Sequence, residues 1–324
     1  MAERPTPKEG LTSFKDVAIV GYGATGKLYF KQLYQTPLQS LNVVASKHLS
    51  ADDPKSLERV IEQKPQLLIL ATPNPADAVL KKIARLAPDG MTIVLPQNGV
   101  AVVDTAMVRF QEAAKNIHIV RASLITAVAQ NDKGDLMYNT KKMPRIAFAQ
   151  VGQHGPEVDA VADLFQSAGF KTKVIEDYVA MEWTKLLTNT IGSTALVTGL
   201  SPRETFRNQE YFEKEVRALK DRLMILKAAG IELVDLPGVP TSLFKLMQKL
   251  PIEILLRLTP LRNQIAEYFA AHRNNLPPAS RKQILDGKKP EAIYYHQPFV
   301  ELGKTVGLPD PTDEALDYLL SFTY

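Results

Sequence analysis

"DVAIVGYGATGKLYFKQLYQ" runs from Asp16 to Gln35. It opens as a β-branched run, breaks at a cluster of glycines and continues with helical character. Val17, Ile19 and Val20 suit a strand, and Gly21, Gly23 and Gly26 stand at the spacing G-x-G-x-x-G. Gly21 permits a tight turn. Gly23 lets the backbone approach a diphosphate. Gly26 lets helix and strand pack closely, while the helix N-terminus attracts an anion. A strand before and a helix after is the context these mechanics require. Gly21, Tyr22, Gly23, Ala24, Thr25 and Gly26 are therefore candidate cofactor-binding residues, and the cofactor class is a dinucleotide.

The pattern repeats outward from this stretch. "LNVVAS" (41–46), "QLLILAT" (66–72), "MTIVLP" (91–96), "IHIVRA" (117–122) and "RIAFAQVG" (145–152) read as strands. "SLERVIEQ" and "PADAVLKKIARLA" read as helices between them. Alternation of this kind predicts a parallel sheet flanked by helices, a Rossmann-type dinucleotide-binding domain. The choice of dinucleotide is set near the end of the second strand, where an NAD site normally carries an acid for the ribose hydroxyls. "VVASKHLS" (43–50) has none before Asp52 and offers Ser46, Lys47 and His48 instead. The expected cofactor is NADPH (NADP when oxidised), with Ser46 and Lys47 at its 2′-phosphate.

After "KTKVIED" (171–177) the texture turns helical, so the expected boundary lies near Asp177, itself an N-cap candidate. Residues 1–177 form the expected dinucleotide-binding domain, with 1–13 a disordered tail. Residues 178–324 form an all-α domain, with Pro311 and Thr312 opening its last helix. The fold class is thus α/β, a Rossmann-type N-terminal domain followed by an all-α C-terminal one. "MEWTKLLTNTIGSTALVTG" (181–199) reads mostly as a buried helix, yet Lys185, Asn189 and Ser193 interrupt it at i, i+4 and i+8. That spacing predicts one polar stripe on one helix. A buried charge is costly without partners, so the stripe is a candidate site. A lysine ammonium can both protonate a forming alkoxide and stabilise its charge.

Composition narrows the classes. The chain has 324 residues, is 45% hydrophobic and 23% charged, and carries a formal charge of +4. Its pI is about 9.0 and its mean hydropathy −0.11. This is the texture of a globular protein with a large core. No basic block with interleaved aromatics points to nucleic acid. "LPIEILLRLTPLRNQIAEYFAA" (250–271) is too interrupted by Glu253, Arg257, Pro260 and Arg262 to span a bilayer, and no signal peptide is visible. With no cysteine there is no disulfide and no thiolate site. The five histidines show no metal spacing. A cytoplasmic location, a small-molecule substrate and no nucleic-acid or membrane partner are expected; a homodimer is compatible with the sequence.

"GYGATG", "VLPQNGV" (94–100), "EWTKLLTN" (182–189) and "ASRKQILDGKKPEAIYY" (279–295) occur in this order. The combination resembles the ketopantoate reductase (2-dehydropantoate 2-reductase) family over roughly Val17–Leu320. The resemblance implies NADPH-dependent reduction of ketopantoate to pantoate in pantothenate and coenzyme A biosynthesis; the alternatives are a reductase of another 2-keto acid or related carbonyl on the same scaffold and, from another class, a non-catalytic NADPH-binding sensor protein. It implies Lys185 as general acid, Glu291 as a catalytic residue that orients groups, and Asn98 in contact with nicotinamide or substrate. Asn189 and Ser193 would bind substrate, and Ser280 its carboxylate. Ser193 stands where the family usually has a second asparagine. "PEAI" (290–293) keeps the family's glutamate and loses its aspartate.

Overall fold

The computed structural model describes residues 14–45, 56–73, 76–131, 133–257, 259–272, 279–287, 289–308 and 314–321. The chain divides into two compact units. Unit 1 is Met1–Met181 with Leu236–Val239, and unit 2 is Glu182–Asp235 with Pro240–Tyr324.

Unit 1 begins β1 (Asp16–Val20), α1 (Ala24–Leu33), β2 (Ser40–Val44), α2 (Leu57–Glu62), β3 (Leu67–Leu70), α3 (Asp77–Leu86), β4 (Thr92–Leu95), α4 (Val102–Glu112) and β5 (His118–Leu124). A short hairpin, β6 (Ala129–Gln130) and β7 (Leu136–Met137), then leads to β8 (Arg145–Gln150), α5 (Pro156–Ser167) and β9 (Lys171–Val174). Seven strands form one sheet in the order β2-β1-β3-β4-β5-β8-β9. Strand order reverses direction of growth around β1, which creates the switch point where nucleotide ligands bind in such sheets.

The sheet departs from the expected all-parallel one at β8. Val120 lies opposite Gln150 and Leu124 opposite Ile146, an antiparallel register, whereas β9 returns parallel to β8. The cause is the connection. A helix crossover returns the chain to the same end of the sheet before each of β2–β5, but β5 is followed by the β6–β7 hairpin and no helix, so the chain comes back in the opposite sense.

Both faces of the central strands are covered, which is why β3 and β4 are buried at every residue. Val17, Ile19, Leu67, Ile69 and Val94 pack with Leu28, Tyr29 and Leu33 of α1 and Phe165 of α5. Ala18, Val20, Leu68, Leu70, Ile93 and Leu95 pack on the other side with Leu80 and Ile83 of α3 and Phe110 of α4.

Unit 2 is helical. α6 (Tyr178–Thr190) enters it from unit 1. α7 (Ser193–Thr198), α8 (Pro202–Arg207), α9 (Gln209–Ala228), α10 (Ser242–Lys249) and α11 (Ile252–Arg257) follow. α12 (Thr259–His272), α13 (Ala279–Leu285), α14 (Ile293–Thr305) and α15 (Glu314–Leu320) complete the described elements. α9 is the central helix, touching α7, α8, α10, α11 and α14. The stretch 250–271 forms two helices, α11 and α12. Pro260 takes the second position of α12, where its missing N–H costs nothing. Among the described residues no helix is long and apolar enough to cross a membrane. The expected tail 1–13 and the Pro311–Thr312 cap lie outside the described residues.

Candidate active site

The glycine loop joins β1 to α1, and its three glycines do three different things. Gly21 has φ +104°, and a methyl group there would sit 2.5 Å from the Ala71 carbonyl oxygen. A methyl at Gly26 would collide with the Gly21 carbonyl. Both are fixed by the protein's own packing. Gly23 is different: it is exposed, its φ is −76°, and a methyl there would meet nothing within 4 Å. The backbone is therefore bare where a diphosphate would approach. α1 carries no acidic residue in its first turn and no side-chain cap, so its first N–H groups are not taken by a cap. This cradle fits a dinucleotide. Ser46 and Lys47, expected at the 2′-phosphate, lie outside the described residues.

Asn98 follows β4 in the loop Pro96–Val100 and is half-buried. This loop is fastened from below. Arg121 of β5 is 3% exposed, and its guanidinium donates to the carbonyl oxygens of Leu95, of Ala122 at 2.8 Å, of Gln97 at 2.6 Å and of Gly99 at 3.0 Å. Gln97 adds a second tether, its side-chain amide donating to the Leu70 carbonyl at 2.7 Å. Each buried carbonyl left without a donor would cost about 1–3 kcal/mol. The positive charge also reaches the buried phenol of Tyr29. Burial pushes that group well above the usual phenol range, and Arg121 pulls the other way.

In unit 2, α6 shows why its lysine is not buried outright. Asp177 caps the helix, its Oδ1 accepting from the Val179 and Ala180 N–H groups at 2.8 and 3.0 Å. Trp183 packs edge-on to Phe299 of α14, with ring centroids 5.2 Å apart, worth about 0.5–1.5 kcal/mol beyond area burial. Thr184 Oγ1 accepts from the Val234 N–H at 3.1 Å, and Leu186 and Leu187 are buried. Lys185 and Asn189, one turn apart, occupy the remaining face and are half-buried.

The stripe stops there. α6 ends at Thr190, Gly192 adopts φ +90° and α7 starts at Ser193. Ser193 is thus on a different helix, and its hydroxyl donates to the Thr190 carbonyl. The break is built by Glu215 of α9, buried at 6%, whose two carboxylate oxygens accept from the N–H groups of Gly192 at 2.8 Å and Thr194 at 2.6 Å. The helical stretch read across 181–199 is corrected to two helices, because a buried carboxylate satisfies the N–H groups that a continuous helix would bond internally. We expect Glu215→Ala to lower stability by about 2–4 kcal/mol, for two charge-assisted bonds lost in a buried setting. A denaturation midpoint within error of the wild type would contradict this.

Ser280 supports the segment that carries Glu291. It is 6% exposed and its hydroxyl accepts from the Ala292 N–H at 3.1 Å. Gln283, one turn on, accepts from the Glu291 N–H at 2.8 Å. Together they fix the backbone that carries half-buried Glu291. Ala292 and Ile293 are sealed against Leu196 and Ile284. The Ser280 hydroxyl thus supports the Glu291 segment, and its own O–H is a donor separate from that bond. Gln283, which the sequence reading did not select, shares that task. Arg281 secures α13 further, donating to the Leu196 and Val197 carbonyls at 3.2 Å.

The glycine loop, the switch-point sheet and the appended helical unit define a two-unit, Rossmann-type α/β class. Within it, the chain resembles ketopantoate reductases in sequence and in fold. It is 25% identical over 314 residues to 2-dehydropantoate 2-reductase of Pyrococcus abyssi, covering 91% of this chain and 93% of that one. Among solved structures it is similar to a PanE/ApbA family ketopantoate reductase of Ralstonia eutropha, with TM-score 0.69, 17% identity and coverage of 94% and 97%. A D-mandelate dehydrogenase solved with NADH and anilino(oxo)acetate has TM-score 0.67 at 14% identity, with coverage of 94% and 97%, and shares the fold. No family model matches the chain.

Proposed function

We propose that the chain is an NADPH-dependent reductase of a 2-keto acid, reducing 2-dehydropantoate to pantoate in pantothenate and coenzyme A biosynthesis. The observation that carries this reading is the likeness to the Pyrococcus abyssi enzyme along nearly the whole of both chains. NADPH, when bound, supplies the hydride. Gly21–Gly26 and the α1 N-terminus hold its diphosphate, with Gly23 leaving room for it. Lys185 Nζ gives its proton to the substrate carbonyl oxygen as that oxygen becomes an alkoxide, and the ammonium stabilises the charge that develops. Asn189 holds the hydroxyl end of the substrate, Asn98 contacts nicotinamide or substrate, and Glu291 orients these groups. Lys47 takes the 2′-phosphate.

The test is oxidation of NADPH and NADH by the purified protein over a panel of 2-keto acids. Ketopantoate is expected to give the highest kcat/KM, with NADPH preferred. Lys47→Ala is expected to weaken NADPH by about 10–100-fold, the loss of one charge-assisted bond, and to leave NADH nearly unchanged. Equal use of the two cofactors by the wild type would remove the assignment of Lys47. The second reading, a reductase of a different 2-keto acid, is favoured by Ser193 standing in place of the family's second asparagine. An aryl keto acid turned over faster than ketopantoate would select it.

A further inference from the structure

We infer that Arg121 is a positioning residue for the reduction, acting through Asn98; the inference rests on the reading of Asn98 given above. The geometry is that of a device for holding one loop. A guanidinium offers five N–H donors in a rigid fork. Here the fork is almost wholly buried and is spent on main-chain carbonyls, three of which belong to the end of β4 and the loop after it. In a trans peptide the N–H points opposite to the C=O. With the Gln97 and Gly99 carbonyls turned down onto Arg121, the N–H groups of Asn98 and Val100 are turned away from it. The Asn98–Gly99 segment is therefore bracketed by two held peptides, Gln97–Asn98 before it and Gly99–Val100 after it.

Two further features agree. Gly99 has φ +94° and Ala101 has φ +71°, so the segment holds a left-handed alanine just before α4. A non-glycine residue in that region persists when its surroundings over-determine it. Gln97 ties the same loop to β3 from its other side through Leu70. A strand end that merely had to turn would need neither a buried permanent cation nor a second tether. A contact residue that must be in place before the ligand arrives does need them.

The experiment is a double-mutant cycle in the full-length protein with Arg121→Lys, Asn98→Ala and the two combined. Lysine keeps the charge but cannot span the carbonyls of Leu95, Gln97 and Gly99 together. The readouts are kcat and KM with the best 2-keto acid of the panel, NADPH affinity by fluorescence, and amide exchange of residues 96–100 in the cofactor-free protein. Arg121→Lys is expected to melt cooperatively, to exchange faster at 96–100, and to lose about 10²-fold in kcat, the cost of a misplaced contact. In the Asn98→Ala background the same change is expected to alter kcat by less than about 3-fold, because neighbours acting through one group are not additive. Penalties that multiply in the double variant, or an Arg121→Lys enzyme with wild-type kcat, overturn the inference and leave the proposed function standing. If Arg121→Lys does not fold, Gln97→Met releases the second tether and runs the same cycle with the same outcomes. If the wild type turns over no 2-keto acid, the reading of the site falls. NADPH affinity then decides the loop's role: Arg121→Lys must weaken it with Asn98 present and not with Asn98→Ala, and any other pattern overturns the inference as well.

Discussion

Lys185→Ala is expected to reduce kcat by about 10²–10⁴-fold while NADPH affinity and the melting temperature stay close to those of the wild type. The range is that of a positioned general acid. The selectivity follows from how α6 is held. Trp183, Thr184, Leu186 and Leu187 anchor it, and Asp177 caps it, whereas Lys185 occupies the half-buried face. Alanine is also the best helix former, so the helix itself loses nothing. Asn189→Ala, one turn further, is expected to act mainly on KM, because a substrate contact binds ground state and transition state alike. Steady-state kinetics on the best keto acid, beside a thermal melt and an NADPH titration, check all of this. A Lys185→Ala enzyme that keeps most of its turnover would sink the proposed chemistry, and Lys185 would then be a lysine lying along the surface of its helix.

The second large effect is expected at Gly23. Gly23→Val should abolish NADPH binding, by more than about 10²-fold in affinity, since two or more charge-assisted bonds to the diphosphate are lost together. The fold should survive. At φ −76° and ψ −165° the backbone is extended, φ is negative as side chains require, and a Cβ placed there has no neighbour within 4 Å. The N-cap preference costs no more than about 1 kcal/mol. Gly26→Ala is the contrast, because its methyl is driven into the Gly21 carbonyl and the damage falls on stability. Titration with NADPH and a melt of both variants separate the cases. If Gly23→Val still binds NADPH as the wild type does, the loop is a structural turn and nothing more.

Much of unit 1 could be read from the chain because its signals are local. The glycine spacing, the strand before it and the helix after it all fall within Asp16–Gln35, and the structure puts β1 and α1 there. The direction of β8 could not be read, because a run such as "RIAFAQ" carries no mark of whether a helix or a hairpin delivers it. In unit 2 the polar spacing of Lys185, Asn189 and Ser193 was correctly helical as far as Thr190. What ends the helix is Glu215, twenty-three residues after Gly192, and a bond of that range leaves no local trace. Ser280 and Glu291 were selected as separate polar residues, and their link through Ala292 and Gln283 is tertiary. Arg121 did leave a signal that went unused. A charge in the middle of "HIVRASL", apolar on both faces, must be compensated somewhere.

The division of the chain has a bearing on its biosynthesis. Unit 1 takes in Leu236–Val239, a turn closed by paired Leu236 and Val239 hydrogen bonds, with Leu236 buried. Translation completes the seven strands at Val174 yet does not deliver this last piece until all of α6–α9 has been made. The nascent sheet therefore emerges before its own unit is finished. Domains usually fold from the N-terminus during synthesis, and here the strands come first while the Leu236–Val239 turn of the same unit follows only after α6–α9.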